Sequence, residues 1–490
     1  MSGGDEPRCR IEASLAASDR FRALRAGLAD LGASRVWVVG GTVRDALLGR
    51  PIGDIDLSAD GDPRELAARA ASLLGGSRFE LSGEFKTWRV AFGAAPGTVD
   101  IAALRGPGIE ADLGLRDFTV NAIAVPLAGG APIDPTGGLA DLEARALRPA
   151  FAGAFEADPL RMMRAARLAA ALALEPTPQA RRLIVAGARR VNEAAPERRF
   201  AELRGMVAGE DPLRALELLD QLGLTETVLP DLYALRGVEQ SGNHHLDTYD
   251  HTIEVLRRWL EVERDLERYA GDAAPAVASA LAEPLADQLS RRDGIRFAAI
   301  LHDIGKPATR TETGGLVGFR GHDRVGAEMV LELCRKLHTS RRFGQYLAAL
   351  TRHHLVLGFM THETPLSRRR IWDYLTRTDS EAIDVTMLTV ADRLSAQGSR
   401  VPQAAISAHL DLARQMLAEA VELGRHGPPP PLLAGNQIES LLGVGGAEIG
   451  AAVSELAAAQ FAGEVTDRAA AERHLGEWQR ARQQALDGNG

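Results

Sequence analysis

The chain has 490 residues, 45% apolar and 25% charged, with a net charge of -9, which suits a globular protein of several domains. The negative balance and 5% aromatic content exclude a protein that coats nucleic acid with its whole surface or reads RNA mainly by stacking, but leave room for a local basic face. Cys9 and Cys334 are the only cysteines, the first 35 residues lack the apolar core of a signal peptide, and no run of about 18 apolar residues occurs; a cytoplasmic protein without disulfides or membrane span is expected.

Apolar positions at helical spacing, Ile11, Leu15, Phe21, Leu24, Leu28 and Leu31, predict helix over 10–33. From 35 to about 150, short β-rich runs at 36–39, 88–92 and 98–101 alternate with helices and glycine turns, as in an α/β module. Within it, 38–49 reads as an apolar strand, the Gly40-Gly41 turn and a short helix closed by Gly49. Asp54-Ile55-Asp56-Leu57 then opens a second strand. Strand alternation puts Asp54 and Asp56 on one face and Ile55 in the core. Two carboxylates beside a glycine turn at a helix N-terminus suit divalent metals next to a triphosphate, the requirement of nucleotidyl transfer. The plainer reading is a solvent-facing turn after Gly53. Asp100, on the run 98–101, is a candidate third carboxylate that spacing does not settle.

Past residue 155 strand signals largely stop, and 159–174, 198–207 and 212–222 read as helices. Asp158-Pro159 is a standard helix start, and Arg161, Arg164 and Arg167 follow along one face. Between 156 and 204, ten arginines oppose six acidic residues, with pairs at Arg181-Arg182, Arg189-Arg190 and Arg198-Arg199. Either a solvated helical surface or phosphate contact with RNA fits. From 240 to 400 the chain carries His251, His302-Asp303, His322, His353, His354 and Asp392. A charged, alanine-rich insert at 261–293 is compatible with helix or disorder. The order of His251, His302, Asp303 and Asp392 suits a transition-metal site that activates water against a phosphate ester. His322, His353 and His354 either complete that pocket or form a second metal position. Four prolines from Pro428 stiffen the entry to the segment 432–475.

These blocks carry a family resemblance. Gly40-Gly41-x-x-Arg44-Asp45 with Asp54-x-Asp56, then the run 116–122, then 134–138 with Asp141-Leu142, then 158–164 resemble, in order, the class II tRNA nucleotidyltransferases and bacterial poly(A) polymerases. The histidine series resembles the HD phosphohydrolase domain that some members carry. The resemblance implies an α+β chain: a helical extension (1–34), a polymerase-β-like head (35–150), a helical neck for nucleotide and RNA (151–235), an HD domain (236–425) and a helical RNA-binding tail (426–490). It implies Mg²⁺-dependent, template-independent addition of CCA to a tRNA 3′ end from CTP and ATP. Asp54 and Asp56 would be the catalytic metal ligands. Gly40, Gly41, Arg44, Arg116, Asp158, Arg161 and Arg164 would hold the nucleotide, with Asp158 and Arg161 at the base edge. Asp117 and Asn121 either join that site or hold the local turn. His251, His302, Asp303 and Asp392 would bind the HD metal, for hydrolysis of cyclic or monoester phosphates.

Two departures bear on specificity. Ala157 stands where the family's motif has glutamate, with Glu156 one position early, and the segment 106–115 is shorter than the basic loop of many members. Short segments accompany both CC-adding and full CCA-adding enzymes, so a CC-only or A-only enzyme is an alternative. A poly(A) polymerase is a weaker one, since the long basic tail is missing. From another class, a metal phosphohydrolase whose head only binds RNA remains a rival.

Overall fold

The computed structural model describes residues 5–28, 35–83, 86–93, 96–239, 247–314, 316–396 and 402–487, in two compact units, Met1–Val228 and Leu229–Gly490. In the first, β1 (Val36–Val39), β2 (Ile55–Ala59), β3 (Ser77–Ser82), β4 (Thr87–Ala91), β5 (Thr98–Ala103) and β6 (Ala124–Pro126) form one sheet in the order β3-β4-β5-β2-β1-β6. Only β2 and β5 run parallel. Their pairing aligns Asp56 with Asp100, and β4 aligns Arg89 with Asp100, so all three side chains rise from the same face. The other face is apolar: Ile55, Leu57, Val99 and Ile101 are buried.

The single helix expected over 10–33 is two helices, α1 (Asp5–Ala17) and α2 (Asp19–Gly27). Ser18 breaks them because its backbone is extended and its hydroxyl accepts the Phe21 N–H, starting a new helix. Ile11, Leu15, Phe21 and Leu24 are buried as the spacing implied; Leu31 lies outside the described residues. Helix α3 (Gly40–Leu47) begins directly at the end of β1. Helix α4 (Pro63–Leu74) starts with an Asp62 cap and Pro63, ends at left-handed Gly75, and lays Leu66, Ala67 and Ala70 against β4 and β5. The segment 106–115 carries α5 (Ile109–Leu113), whose Ile109 and Leu113 pack with Val39, Ala122 and Ala124.

Four helices follow: α6 (Arg161–Leu172), α7 (Pro178–Gly187), α8 (Pro196–Val207) and α9 (Pro212–Gln221). Three begin with proline, which has no amide hydrogen to waste in the first turn. Strand pairing does not stop completely, since Ala146–Leu147 and Glu175–Pro176 pair in parallel.

Among its described residues the second unit is helical apart from two short hairpins. Its centre is built from helices Thr248–Val262, Arg291–Leu301, His322–Lys336, Arg341–His353 and Ala382–Ser395. The alanine-rich insert is ordered: Leu266–Ala270 and Ala274–Ala282 bury Tyr269, Val277 and Leu281 before the hairpin Pro284–Ala286 with Leu289–Ser290. Helices Gly435–Leu442, Ala447–Phe461 and Arg468–Asp487 enclose their own small core of Ile438, Leu456, Ala459 and Leu475. No single helix among the described residues is long and apolar enough to cross a membrane.

Candidate active site

A cavity of about 330 Å³ opens on the polar face of the head sheet, lined among others by Gly40, Asp56, Asp100, Arg116, Arg161 and Arg164. Gly40 makes the close approach of backbone and charge feasible. It adopts φ +64, and a Cβ there would lie 2.8 Å from Arg116 Nη1 and 3.4 Å from Asp56 Oδ2. At Gly41 a Cβ would stand 3.2 Å from the same carboxylate oxygen. The turn and Asp56 therefore adjoin, as the sequence pattern required.

Asp56 sits between opposing influences. Burial, with Asp100 and Asp54 nearby, raises its pKa from 3.8 to about 6, although Arg116 and Arg44 pull the other way. Such excess negative charge, carried by hard oxygen donors, fits a divalent cation of the Mg²⁺ type. Asp100 is already engaged, accepting both Arg89 Nε and Nη2 at 2.7 Å. Asp54 precedes β2 rather than lying in it; its Oδ1 accepts the Thr98 amide at 2.8 Å and hydroxyl at 2.9 Å. It is exposed and at the margin of the cavity, whose lining includes Asp56 and Asp100.

Several supports were not legible in the motif. The Thr42 hydroxyl accepts the Asp56 N–H at 2.7 Å and faces the Asp54 carbonyl at 3.2 Å, tying α3 to the start of β2. Asp112, buried on α5, receives Arg105 and Arg116, fixing Arg116 over the turn. Arg44 donates to Asn121 Oδ1 at 2.7 Å, Asn121 donates to Asp117 Oδ1, and Arg164 donates to Asp117 Oδ2. Asp117 and Asn121 thus hold their turn and also join two nucleotide-site arginines. Arg164 and Arg167 both reach back to buried Glu202 on α8. No local signal marked Glu202, because its partners lie 35 and 38 residues away.

Arg161 donates to the Leu115, Arg116 and Ala154 carbonyls and lies 5.6 Å from the Phe151 ring centroid. Asp158 does not line the cavity. One of its oxygens accepts the Leu160 N–H in the turn before α6, which starts at Arg161 without a side-chain cap, so Asp158 does not cap the helix as expected; the other accepts Arg198 Nη2 at 2.7 Å. Along α7, α8 and the 3-10 turn Ala188–Glu193 between them, Arg181, Arg190 and Arg198 are paired with carboxylates, whereas Arg182, Arg189 and Arg199 have no carboxylate partner among the described residues.

The second unit gathers His251, His302, Asp303, His322, His354 and Asp392 at one point. Gly305 allows this, since a Cβ there would strike the His322 carbonyl at 2.3 Å. Asp303 Oδ2 lies 3.2 Å from His302 Nε2 and 3.5 Å from His251 Nε2, and His251 Nε2 lies 3.2 Å from Asp392 Oδ1. His302 is raised: burial opposes its charge, but Asp303 outweighs it. Burial likewise opposes the charge on Asp303, yet His302 and Lys306 hold it well below the carboxylate range. His354 is pushed down to about 4 by burial and by His302, keeping its ring neutral. His302 Nε2 is buried without a hydrogen-bond partner, the mark of a ligand atom awaiting a cation. These donors fit a transition metal. His353 is directed elsewhere: it is half-buried, and burial with Arg377 and Arg352 lowers it.

Comparison with known proteins places these features in order. The model of the poly A polymerase head domain matches 36–148, that of the "probable RNA and SrmB- binding site of polymerase A" matches 173–235, and the HD domain matches 248–397. An A-adding tRNA nucleotidyltransferase of Deinococcus radiodurans is 36% identical, over 87% of this chain and 92% of its own length. A CC-adding tRNA nucleotidyltransferase of Thermus thermophilus is 31% identical, over 92% and 95%. The solved complex of a CCA-adding enzyme with CTP shares the fold, at TM-score 0.61 and 20% identity over 96% of this chain and 98% of that one. With its polymerase head, RNA-binding segment and HD domain, the chain belongs to the tRNA nucleotidyltransferase and poly(A) polymerase family.

Proposed function

We propose that this protein adds the CCA end to tRNA from CTP and ATP in the cytoplasm, and that its HD domain hydrolyses phosphate esters. The observation that carries the first part is the in-register Asp56 and Asp100 pair beside the Gly40–Gly41 turn, in a cavity otherwise rich in arginine. Asp54 and Asp56 would hold Mg²⁺, with Asp100 in register beside Asp56; the ions would supply an activated 3′ hydroxyl and neutralise charge on the α-phosphate and pyrophosphate. Arg44 and Arg116 orient the triphosphate over the glycine turn. Arg161 and Arg164 face the nucleotide from α6. Base reading by Asp158 requires its carboxylate to leave Arg198, a half-exposed pair worth about 1 kcal/mol or less, so nucleotide binding readily overcomes it. Arg182, Arg189 and Arg199 offer unpaired charge to the RNA backbone.

A second reading, a partial enzyme, is favoured by relatives that match over almost their whole length, among them one named for A addition and one for CC addition. The segment 106–115 also fits it, being a short helix pinned by Asp112 rather than a free loop. One assay separates the cases. Purified protein is given tRNA ending before the CCA, and tRNA ending in CC, with labelled CTP, ATP or both. Growth by three nucleotides supports full addition, growth by two or by one assigns the partial enzymes, and no incorporation overturns the transferase reading.

A further inference from the structure

The head sheet ends in an edge strand that is not blunted. β3 is the outermost strand on the side away from β6, and its Phe79 and Leu81 are 47% and 45% exposed. Edge strands usually carry charge or proline, because an apolar edge invites unwanted pairing. Register fixes the direction of Phe79. It stands opposite Arg89 on β4, Arg89 stands opposite Asp100 on β5, and Asp100 opposite Asp56 on β2. Residues paired in this way share a face, so one row of side chains runs from the acidic centre to the edge, over roughly 15 Å at the usual strand spacing. Helix α4 packs on the other, apolar face. Within the row, Arg89 gives Nε and Nη2 to Asp100, which leaves Nη1 outside the pair. Thr87, on the same face of β4, lines the transfer cavity, and exposed Lys86 stands in the turn that joins β3 to β4.

The chemistry gives this row a direction. Nucleotidyl transfer is an in-line displacement, in which the RNA 3′ oxygen bonds to the α-phosphorus on the side opposite the departing pyrophosphate. Gly40, Gly41 and Arg116, which would carry the triphosphate, adjoin Asp56 from the β1 side. The attacking end must then arrive from the other side, across β5, β4 and β3. We propose, resting on the transferase reading, that the row Asp100–Arg89–Phe79 is the track of the single-stranded 3′ end of the RNA acceptor. Phe79 stacks under a base behind the reacting nucleotide, while Arg89 Nη1 and Lys86 meet its phosphates. A ring borne on a sheet accepts any base, and cations beside it hold the backbone, so the track positions an end without reading its sequence.

The test uses the full-length chain with the tRNA form and nucleotide that the wild type uses. Phe79→Ala is expected to raise KM for the tRNA about tenfold and to leave KM for the nucleotide unchanged. Phe79→Trp should keep the wild-type value, whereas Phe79→Leu, apolar but without a ring face, should resemble the alanine variant. Independently of turnover, tRNA carrying 4-thiouridine at its 3′-terminal nucleotides should crosslink on irradiation to the segment 77–91. An unchanged tRNA KM in Phe79→Ala, a leucine variant equal to wild type, or crosslinks confined to other segments overturns the track. So does a change of oligomeric state in Phe79→Ala with tRNA KM unchanged, which would assign the edge to a second copy of the chain. A wild type that incorporates no nucleotide overturns the transferase reading instead, and the crosslink alone then decides the track.

Discussion

Asp56 offers a stability test of the transfer site that needs no substrate. Its pKa of about 6, against 3.8 in the unfolded chain, means the folded state keeps a proton that the unfolded state has lost. The sign follows: this group's contribution to stability is full below pH 3.8 and is lost as pH rises through 6. A gap of roughly two pH units corresponds to about 3 kcal/mol, which partial solvent access reduces to about 1–2 kcal/mol. Asparagine mimics the protonated carboxyl, so Asp56→Asn is expected to stabilise the metal-free protein most at pH 8, by about half as much at pH 5, and to be neutral only below pH 3.8. For a unit the size of Met1–Val228, the gain is about 3–6 °C in Tm. Differential scanning calorimetry in EDTA reads it, and comparing wild type with variant at each pH cancels all other titrating groups. Added Mg²⁺ should then raise the Tm of the wild type and not of the variant, and the variant should fail to incorporate CTP. A variant less stable at pH 8 than wild type, or one with normal turnover, would refute the argument that this carboxylate is held charged for a metal.

Three further outcomes follow from the same structure. Thr42→Val removes the hydroxyl that orients Asp56 and is expected to cost about 1–3 kcal/mol in urea unfolding while lowering kcat for CTP more than it raises KM. Arg164→Ala leaves Asp117 without its arginine and buried Glu202 with Arg167 alone, so it should cost about 1–3 kcal/mol besides weakening nucleotide binding, whereas Arg164→Lys should recover part of the stability in the same denaturation assay. Asp303→Asn, or stripping with a chelator selective for transition metals, should abolish hydrolysis of a phosphate ester substrate and leave CTP incorporation unchanged; joint loss of both would contradict separate sites.

How much was legible depended on distance along the chain. The Gly40–Gly41 turn and the helix after it depend on neighbours within about fifteen residues, so local spacing and turn chemistry defined them, whereas Asp54 stands just before β2 and is held by Thr98 on the neighbouring strand. The break at Ser18 was also local, but apolar periodicity passes through a capping serine without interruption. Family order pointed Arg116, Arg161 and Arg164 to one cavity although nothing in their spacing does so, while Asp158, expected beside them, is paired with Arg198 outside it.

By itself, then, the sequence determined the α/β head, the helical remainder, the acidic pair and the ordered histidine–aspartate set, because each is written in periodicity, turn residues or motif order. Only tertiary structure decided that Asp100 stands level with Asp56, since that register is set by the parallel pairing of β2 with β5, strands more than forty residues apart. It alone placed Glu202 beneath Arg164 and Arg167, and turned His322 and His354, rather than His353, toward Asp303. A histidine's spacing names a candidate ligand, but the direction of its free nitrogen is chosen by the carbonyl behind it and the glycine that lets two helices meet.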